Sequence, residues 1–155
     1  MKKMHVYSHT HWDYEWYFTA SESIIQLIYH MDEVISALES GTLKTYLLDS
    51  QVSILEEYLH MMPEKEPVIR KLVEEGKLMI GPWYTQSDEL IISGESLARN
   101  LWYGISYARE LGNCMMIGYL PDSFGQSKDM PKLYNGFDIR EALFWRGVPN
   151  DVCKQ

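Results

Sequence analysis

The strongest constraint on the fold is an alternation of short apolar runs with longer segments whose apolar residues recur at helical spacing. The apolar runs predict five strands, at 4–8, 43–48, 77–80, 115–120 and 142–145. Helices are predicted from a capping box at Thr19 and Glu22 to Gly41, over 51–61, from Pro63 or Pro67 to Gly76, over 97–111 and over 130–134. Strands that alternate with helices in this way build a parallel sheet, so the predicted fold class is α/β.

The composition indicates one globular domain that binds neither nucleic acid nor membranes. A chain of 155 residues, 46% of them hydrophobic, is long enough for a sizeable core. The net charge of −8 and the scattered basic residues argue against phosphate backbones as partners. No apolar run approaches the roughly 20 residues of a membrane helix, and polar residues near the N-terminus interrupt any signal-peptide core. The two cysteines, Cys114 and Cys153, are too few for a disulfide framework, so we expect reduced thiols and a cytoplasmic protein.

Residues suited to chemistry follow the predicted strands directly. Ligands of parallel α/β proteins bind at the carboxyl ends of the strands. A shared position of this kind is stronger evidence for a site than any one residue. The residues found there are His11, Asp13, Asp49, Trp83, Asp88, Asp122 and Arg146.

The segment His9–Asp13 predicts part of a metal site. Two imidazoles and a carboxylate within five residues suit a borderline cation, Zn²⁺ above all. A spacing of two residues between ligands indicates His11 and Asp13 as the metal-binding pair. His9 would then support the ligands without binding the metal. Alternatively these are ordinary polar residues of a loop, or one histidine hydrogen-bonds backbone. A tetrahedral ion also needs ligands from elsewhere, and Asp122, in the turn after the fourth strand, is a candidate or a plain turn aspartate.

Aromatic side chains are concentrated in the same loops. Trp12, Trp16, Trp83 and Phe124 are core residues on the simplest interpretation. Their position at one end of the predicted sheet also suits stacking on a sugar ring. The sequence alone leaves both interpretations open.

Three motifs resemble one enzyme family. HTHWDYEWYF, GPWYTQSDE and IGYLPDSFGQS, in this order and spacing, resemble the N-terminal catalytic region of glycoside hydrolase family 38, the retaining α-mannosidases. The likeness extends over about residues 4–147, and LYNGFDIREALFWRG makes it closest to the bacterial mannosylglycerate hydrolases. The resemblance implies hydrolysis of an α-mannoside, such as mannosylglycerate or its 6-phospho form, with one Zn²⁺ ion.

The resemblance also assigns roles to individual residues. It makes His11, Asp13 and Asp122 zinc ligands and makes Asp122 the catalytic nucleophile. It implies that the substrate-binding residues are Trp16, Phe124, Arg146, Asp49 and Asp88.

The chain departs from the family pattern in its length. The family's remaining zinc ligand, a histidine, and its acid/base carboxylate would both lie beyond residue 155. The family barrel has seven parallel strands, whereas five are predicted here. We therefore expect residues 1–155 to be the N-terminal portion of a larger catalytic domain, inactive alone and prone to self-association through unpaired sheet edges. The alternatives are an inactive incomplete domain with a partial metal site and an amidohydrolase-like metal hydrolase, which also carries His-x-His after its first strand.

Overall fold

Short parallel strands and helices alternate along residues 2–148, the part of the chain that the computed structural model describes. The strands are β1 (Ser8–Thr10), β2 (Tyr46–Leu48), β3 (Leu78–Met79), β4 (Ile117–Tyr119) and β5 (Glu141–Leu143). The helices are α1 (Ala20–Glu39), α2 (Ser53–Met61), α3 (Glu66–Glu74), α4 (Gly94–Glu110) and α5 (Met130–Gly136), and a 3₁₀ turn at Pro63–Lys65 precedes α3. The mixed α/β class and the order of elements agree with the sequence prediction.

The strands form two parallel sheets, whereas a single sheet was expected. One sheet has the order β1-β2-β3 and the other pairs β4 with β5. A backbone hydrogen bond from Met115 N to Ile80 O (2.8 Å) links the chain around β3 and β4. Pro82, two residues later, has no N–H with which to continue such a ladder. The predicted seven-stranded barrel stays a prediction.

The first strand lies later in the chain than its apolar run predicts. Pairing with β2 begins at Ser8, opposite Tyr46, and ends at Thr10, opposite Leu48. The apolar residues Met4 and Val6 are 84% and 81% exposed, because the described chain places no covering layer over them. The prediction of a buried strand at 4–8 is therefore wrong. His11 still follows the end of β1 directly, so the shift does not move the predicted ligand away from the strand end.

The predicted capping box begins α1. The Thr19 side chain accepts a hydrogen bond from Glu22 N, and the Glu22 carboxylate accepts one from Thr19 N at 2.9 Å. The apolar stripe of α1, including Met31 and Leu38, packs on the sheet together with α2 and α3. The same core cluster includes Tyr46, Leu48 and Leu78, so the helices cover the β1-β2-β3 sheet.

Helix α4 lies against the chain that follows β3. Gly104 permits this approach, because a methyl group there would overlap the backbone of Pro82, Trp83 and Tyr84. Trp83 is fully buried beneath the helix, which confirms a core position for this aromatic residue. The contact places the loop after β3 next to the ends of β1, β2 and β4.

Two further expectations concern membranes and cysteines. Among the helices of residues 2–148, none combines the length and the apolar character that a membrane span requires. Cys114 is a free, buried thiol, and burial raises its pKa to about 11, so it is unreactive at neutral pH. Cys153 lies outside the described residues.

Candidate metal centre and active-site cleft

His11 presents its two ring nitrogens to different partners. Nδ1 faces Asp49 Oδ1 at 3.1 Å, and Nε2 lies 3.5 Å from both Asp13 Oδ1 and Asp122 Oδ2. With Nδ1–H donating to a carboxylate, the lone pair of Nε2 is directed at the other two residues, which is the arrangement of many metal-bound histidines. The three predicted metal ligands therefore meet at one point.

The charge around His11 favours a cation. The hydrogen bond to Asp49, and the negative charges of Asp49, Asp13 and Asp122, raise the pKa of His11 to about 9 against the opposing effect of burial. In the absence of an ion the imidazole is therefore protonated at neutral pH. A metal ion that binds Nε2 replaces a proton at a position where the neighbouring carboxylates already favour positive charge.

Asp49 is the support on which His11 rests. Its side chain is fully buried, and each carboxylate oxygen accepts two hydrogen bonds. Oδ1 accepts from His11 Nδ1 and from Gln86 Nε2 (3.0 Å), and Oδ2 accepts from Trp12 N (2.8 Å) and from Gln51 Nε2 (2.7 Å). Asp49 was predicted to bind substrate, but in this structure it has no exposed surface with which to do so. Asp49 instead supports His11 from the interior of the protein.

The turn after β2 is strained in order to make these contacts. Asp49 and Ser50 both have positive φ, of 39° and 56°, which non-glycine residues rarely adopt. The turn directs Asp49 toward His11, and Ser50 Oγ toward the carbonyl oxygen of Tyr119 in β4 (2.8 Å). Such strain persists only where the surrounding contacts hold it, and it is common at functional sites.

Asp122 is held from two sides at the end of β4. Oδ2 faces His11, and Oδ1 forms an ion pair of 2.9 Å with Nη1 of Arg146, which follows β5. The guanidinium also lies 5.0 Å from the ring centroid of Phe124. Arg146, predicted to bind substrate, thus contacts the predicted nucleophile directly.

The three predicted ligands have a spacing that fits a zinc ion. Zn–N and Zn–O bonds of about 2.0–2.1 Å place neighbouring ligand atoms of a tetrahedron about 3.3–3.4 Å apart. The two 3.5 Å separations from His11 Nε2 are close to this edge, and all three donor atoms lie within 4.8 Å of one another. One nitrogen and two carboxylate oxygens suit Zn²⁺ chemically. His11, Asp13 and Asp122 would hold the ion.

A cleft of about 530 Å³ opens above this cluster. Trp16 and Phe124, each 71% exposed, present rings at its wall, and Asp88 also lines it. Exposed aromatic rings beside carboxylates suit a sugar, whose C–H faces stack on rings and whose hydroxyls hydrogen-bond to acids. The predicted substrate-binding residues Trp16, Phe124 and Asp88 are therefore together in one cleft.

His9 lies apart from the ligand cluster. Its Nδ1 contacts the carbonyl oxygen of its neighbour Thr10 (3.2 Å), and its ring packs near Tyr7 and Tyr119, with centroids 5.5 Å and 6.4 Å away. Among the described contacts it has no hydrogen bond to His11 or Asp13. The supporting role predicted for His9 is filled in this structure by Asp49.

Sequence reasoning missed Ser50, Gln51 and Gln86. All three take part in the hydrogen bonds around Asp49 and the strand ends. One signal could have identified Ser50 and Gln51. With Asp49 they form a polar triplet directly after a buried strand, where apolar residues are usual.

Known proteins match this chain in sequence. Residues 1–154 match the model of the glycosyl hydrolases family 38 N-terminal domain. The chain is 40% identical, over 149 residues, to a Halalkalibacterium halodurans protein named "Putative mannosylglycerate hydrolase", and this match covers 95% of the chain and 17% of that protein. It is 33% identical over 86 residues to an α-mannosidase of Saccharomyces cerevisiae, which covers 52% of the chain and 8% of that protein.

A solved structure shows the same fold. An α-mannosidase from Enterococcus faecalis V583 superposes with a TM-score of 0.88 at 38% identity, over 92% of this chain and 16% of that one. The chain thus spans about one sixth of the length of these two bacterial relatives. The motifs, the fold and the sequence match agree: the chain belongs to glycosyl hydrolase family 38 and matches the model of its N-terminal domain over residues 1–154.

Proposed function

We propose that this chain is the N-terminal portion of the catalytic domain of a zinc-dependent, retaining α-mannosidase. The observation that carries the proposal is the meeting of His11 Nε2, Asp13 Oδ1 and Asp122 Oδ2 at the edge of an aromatic cleft in a family 38 chain. The substrate we propose is mannosylglycerate or its 6-phospho form, by likeness to the H. halodurans relative. The family match leaves no observation in favour of an amidohydrolase-like enzyme.

Asp122 would act as the nucleophile. One carboxylate oxygen forms a bond to the anomeric carbon while the bond from that carbon to the leaving oxygen breaks, and an acid outside this chain protonates the leaving oxygen. Water then attacks the same carbon, loses a proton to the conjugate base of that acid and releases Asp122. Each step inverts the anomeric carbon, so the configuration is retained overall. Arg146 holds the carboxylate toward the cleft, and Trp16 and Phe124 would stack on the sugar. A bound zinc ion would coordinate sugar hydroxyls and so orient the ring for attack by Asp122.

The remaining parts of the site are proposed to come from outside residues 1–155. These parts are the acid/base carboxylate, a further zinc-binding histidine and the strands that complete a seven-stranded barrel. The single Zn²⁺ ion, a cytoplasmic location and self-association of the isolated chain also stay predictions.

Metal binding can be tested on the chain itself. Titration of the 155-residue protein with Zn²⁺ against a chromogenic chelator should show one weak site, which His11→Ala and Asp13→Ala abolish. His9→Ala is the matched control, because it removes an imidazole two residues away that contacts neither ligand. Equal loss of zinc binding in the two histidine variants would contradict the assigned ligands.

Catalysis is best tested in a complete enzyme. The matching segment of the H. halodurans relative can be replaced by this chain, since the two align over 149 residues. We expect the chimera to hydrolyse an α-mannoside and Asp122→Asn to abolish turnover with zinc still bound. The isolated chain should be inactive. A folded, zinc-loaded chimera without activity would leave a binding module with a partial metal site as the better description.

A further inference from the structure

The two halves of the metal site stand on different sheets. His11 follows β1 in the three-stranded sheet, and Asp122 follows β4 in the two-stranded sheet. The bond from Met115 N to Ile80 O and the bond from Ser50 Oγ to Tyr119 O connect the strands. Both bonds lie before the loop that carries Asp122. The loop itself makes further contacts with the side of the molecule that carries His11.

The segment 86–89, after β3, contacts the His11 side. Gln86 Nε2 donates to the backbone carbonyl of Asp49 (2.6 Å) and to Asp49 Oδ1 (3.0 Å), the same oxygen that faces His11 Nδ1. Gln86 therefore fixes both the backbone and the carboxylate on which the imidazole rests.

The same segment contacts the Asp122 side through three consecutive residues. Each of them accepts one hydrogen bond from the loop at 123–127, directly after Asp122. These bonds run from Ser123 Oγ to Ser87 O (2.8 Å), from Phe124 N to Asp88 Oδ1 (2.8 Å) and from Ser127 N to Glu89 Oε2 (2.6 Å). Two of the three donors are backbone N–H groups, so the bonds define the path of the loop itself.

The segment is also anchored by residues that are not proposed ligands. Asn100 of α4 accepts hydrogen bonds from Tyr84 N and Thr85 N through Oδ1, and its Nδ2 donates to Thr85 O and Ser87 Oγ. Gln51 Oε1 accepts from Gln86 N at 2.9 Å. Helix α4 and the turn after β2 thus hold the segment in place from two directions.

We propose that the segment Gln86–Glu89 positions Asp122 against His11, although it supplies no metal ligand. The inference rests on the proposed metal site. Glu89 is the most informative member because it is only 4% exposed, so its influence on the site must pass through Ser127 and the loop. Its second oxygen, Oε1, has no hydrogen-bond partner within residues 2–148, and in that part of the chain the bond to Ser127 N is the hydrogen bond that its carboxylate makes.

The experiment compares Zn²⁺ affinity in the 155-residue chain across variants of Glu89. Glu89→Ala removes the acceptor of Ser127 N, and we expect Zn²⁺ binding to weaken by about 10–100-fold, as for other residues that orient metal ligands. Glu89→Gln should restore most of the affinity, because its amide oxygen accepts the same bond. A crystal structure of Glu89→Ala should show His11 Nε2 and Asp122 Oδ2 further apart than 3.5 Å.

Loss of stability alone must be separated from loss of positioning. Tyr58→Phe removes a hydrogen bond to Asp32 between α2 and α1, on elements that carry no metal ligand, and serves as the destabilised control. Zinc affinity that follows the thermal midpoint equally in all variants would overturn the proposal. Should Glu89→Ala fail to fold, Asp88→Ala against Asp88→Asn repeats the comparison, since asparagine can still accept from Phe124 N.

His11→Ala distinguishes the two proposals. If it abolishes zinc binding while Glu89→Ala binds like the unmodified chain, only the positioning role fails. If zinc binding does not depend on His11, the metal site fails and the positioning role fails with it.

Discussion

The two halves of the site are held by different kinds of interaction. On the His11 side, a fully buried carboxylate, Asp49, accepts four hydrogen bonds. On the Asp122 side, the ion pair with Arg146 is open to solvent, with 33% and 44% of the two side chains exposed. One proposed ligand, His11, is held in place without an ion or a substrate, whereas the other, Asp122, has an exposed partner and can exchange it.

This difference suits the two proposed roles. His11 has one task, to present Nε2, and a rigid support lowers the cost of ordering it when an ion binds. Asp122 would form and break a bond to carbon, so its contacts have to change within each catalytic cycle. Buried and exposed ion pairs also differ in energy, which makes the comparison measurable.

The largest effect is expected for Asp49→Ala. Removing one member of a buried charged network typically costs about 3–5 kcal/mol of unfolding free energy, and loss of the His11 support should weaken zinc binding by about 10–100-fold. Urea denaturation and zinc titration of the chain measure the two losses. Asp49→Asn should also lose part of the unfolding free energy and of the zinc affinity, because an amide nitrogen would face the N–H groups of Trp12 or Gln51. Full stability with Asn would show that the negative charge is not needed.

The buried carboxylate of Glu89 should make the stability of the chain depend on pH. Burial raises the pKa of Glu89 above its ordinary value of 4.5, although the Ser127 N–H acts in the opposite direction. The folded state therefore binds this proton more tightly than the unfolded state, and the stability that the protonated group contributes is lost as pH rises through the folded-state pKa. Tyr134 of α5 also lies near this group.

Glu89→Gln removes this titration. We expect the variant to gain stability relative to the unmodified chain as pH rises from below 4.5. Urea unfolding of both proteins between acid and neutral pH measures the difference. Parallel stability curves would mean that Glu89 ionises equally well in the folded and unfolded chain.

A smaller stability effect is expected for Arg146→Met. The pair with Asp122 is exposed, so its loss should change the unfolding free energy by less than about 1 kcal/mol. Turnover of the chimeric enzyme should nevertheless fall, because a carboxylate displaced by about 1 Å can lose about 100-fold in rate. A stability loss as large as that of Asp49→Ala would remove the proposed contrast between the two halves.

The smallest effect is expected for Arg99→Ala. Arg99 pairs with Glu95 one turn earlier on the exposed face of α4, with 63% and 70% of the two side chains exposed. Such pairs contribute about 0.3–0.5 kcal/mol. Zinc affinity should not change, which makes this variant the baseline for the other measurements. A change in zinc affinity would show that α4 transmits strain to the segment at 86–89.

The sequence predicted helices better than strand ends. The capping box at Thr19 and Glu22 and the stripe of α1 are local signals, and the structure confirms both. The first strand was misplaced because its position depends on pairing with Tyr46–Leu48, a partner distant in the chain. Pairing of this kind leaves no periodic signature in a short apolar run.

The sequence predicted the residues that meet at the site but not the residue that supports His11. His11, Asp13 and Asp122 follow strands in recognisable motifs, and the structure brings them together. The role of Asp49 could not be read from its position alone, because a strand-end aspartate is equally suited to contact substrate. Only the four donors around it, which come from three separate segments, show that it lies beneath the ligand.

The strained turn at Asp49 and Ser50 bears on how this protein can be engineered. Glycine at position 50 would relieve backbone strain, because glycine adopts a φ of 56° at no steric cost. That substitution would also remove the Oγ that reaches Tyr119 O and ties the β2 turn to β4. Relief of backbone strain and loss of this buried hydrogen bond thus oppose each other at this position, so a substitution chosen for backbone geometry alone would loosen the site.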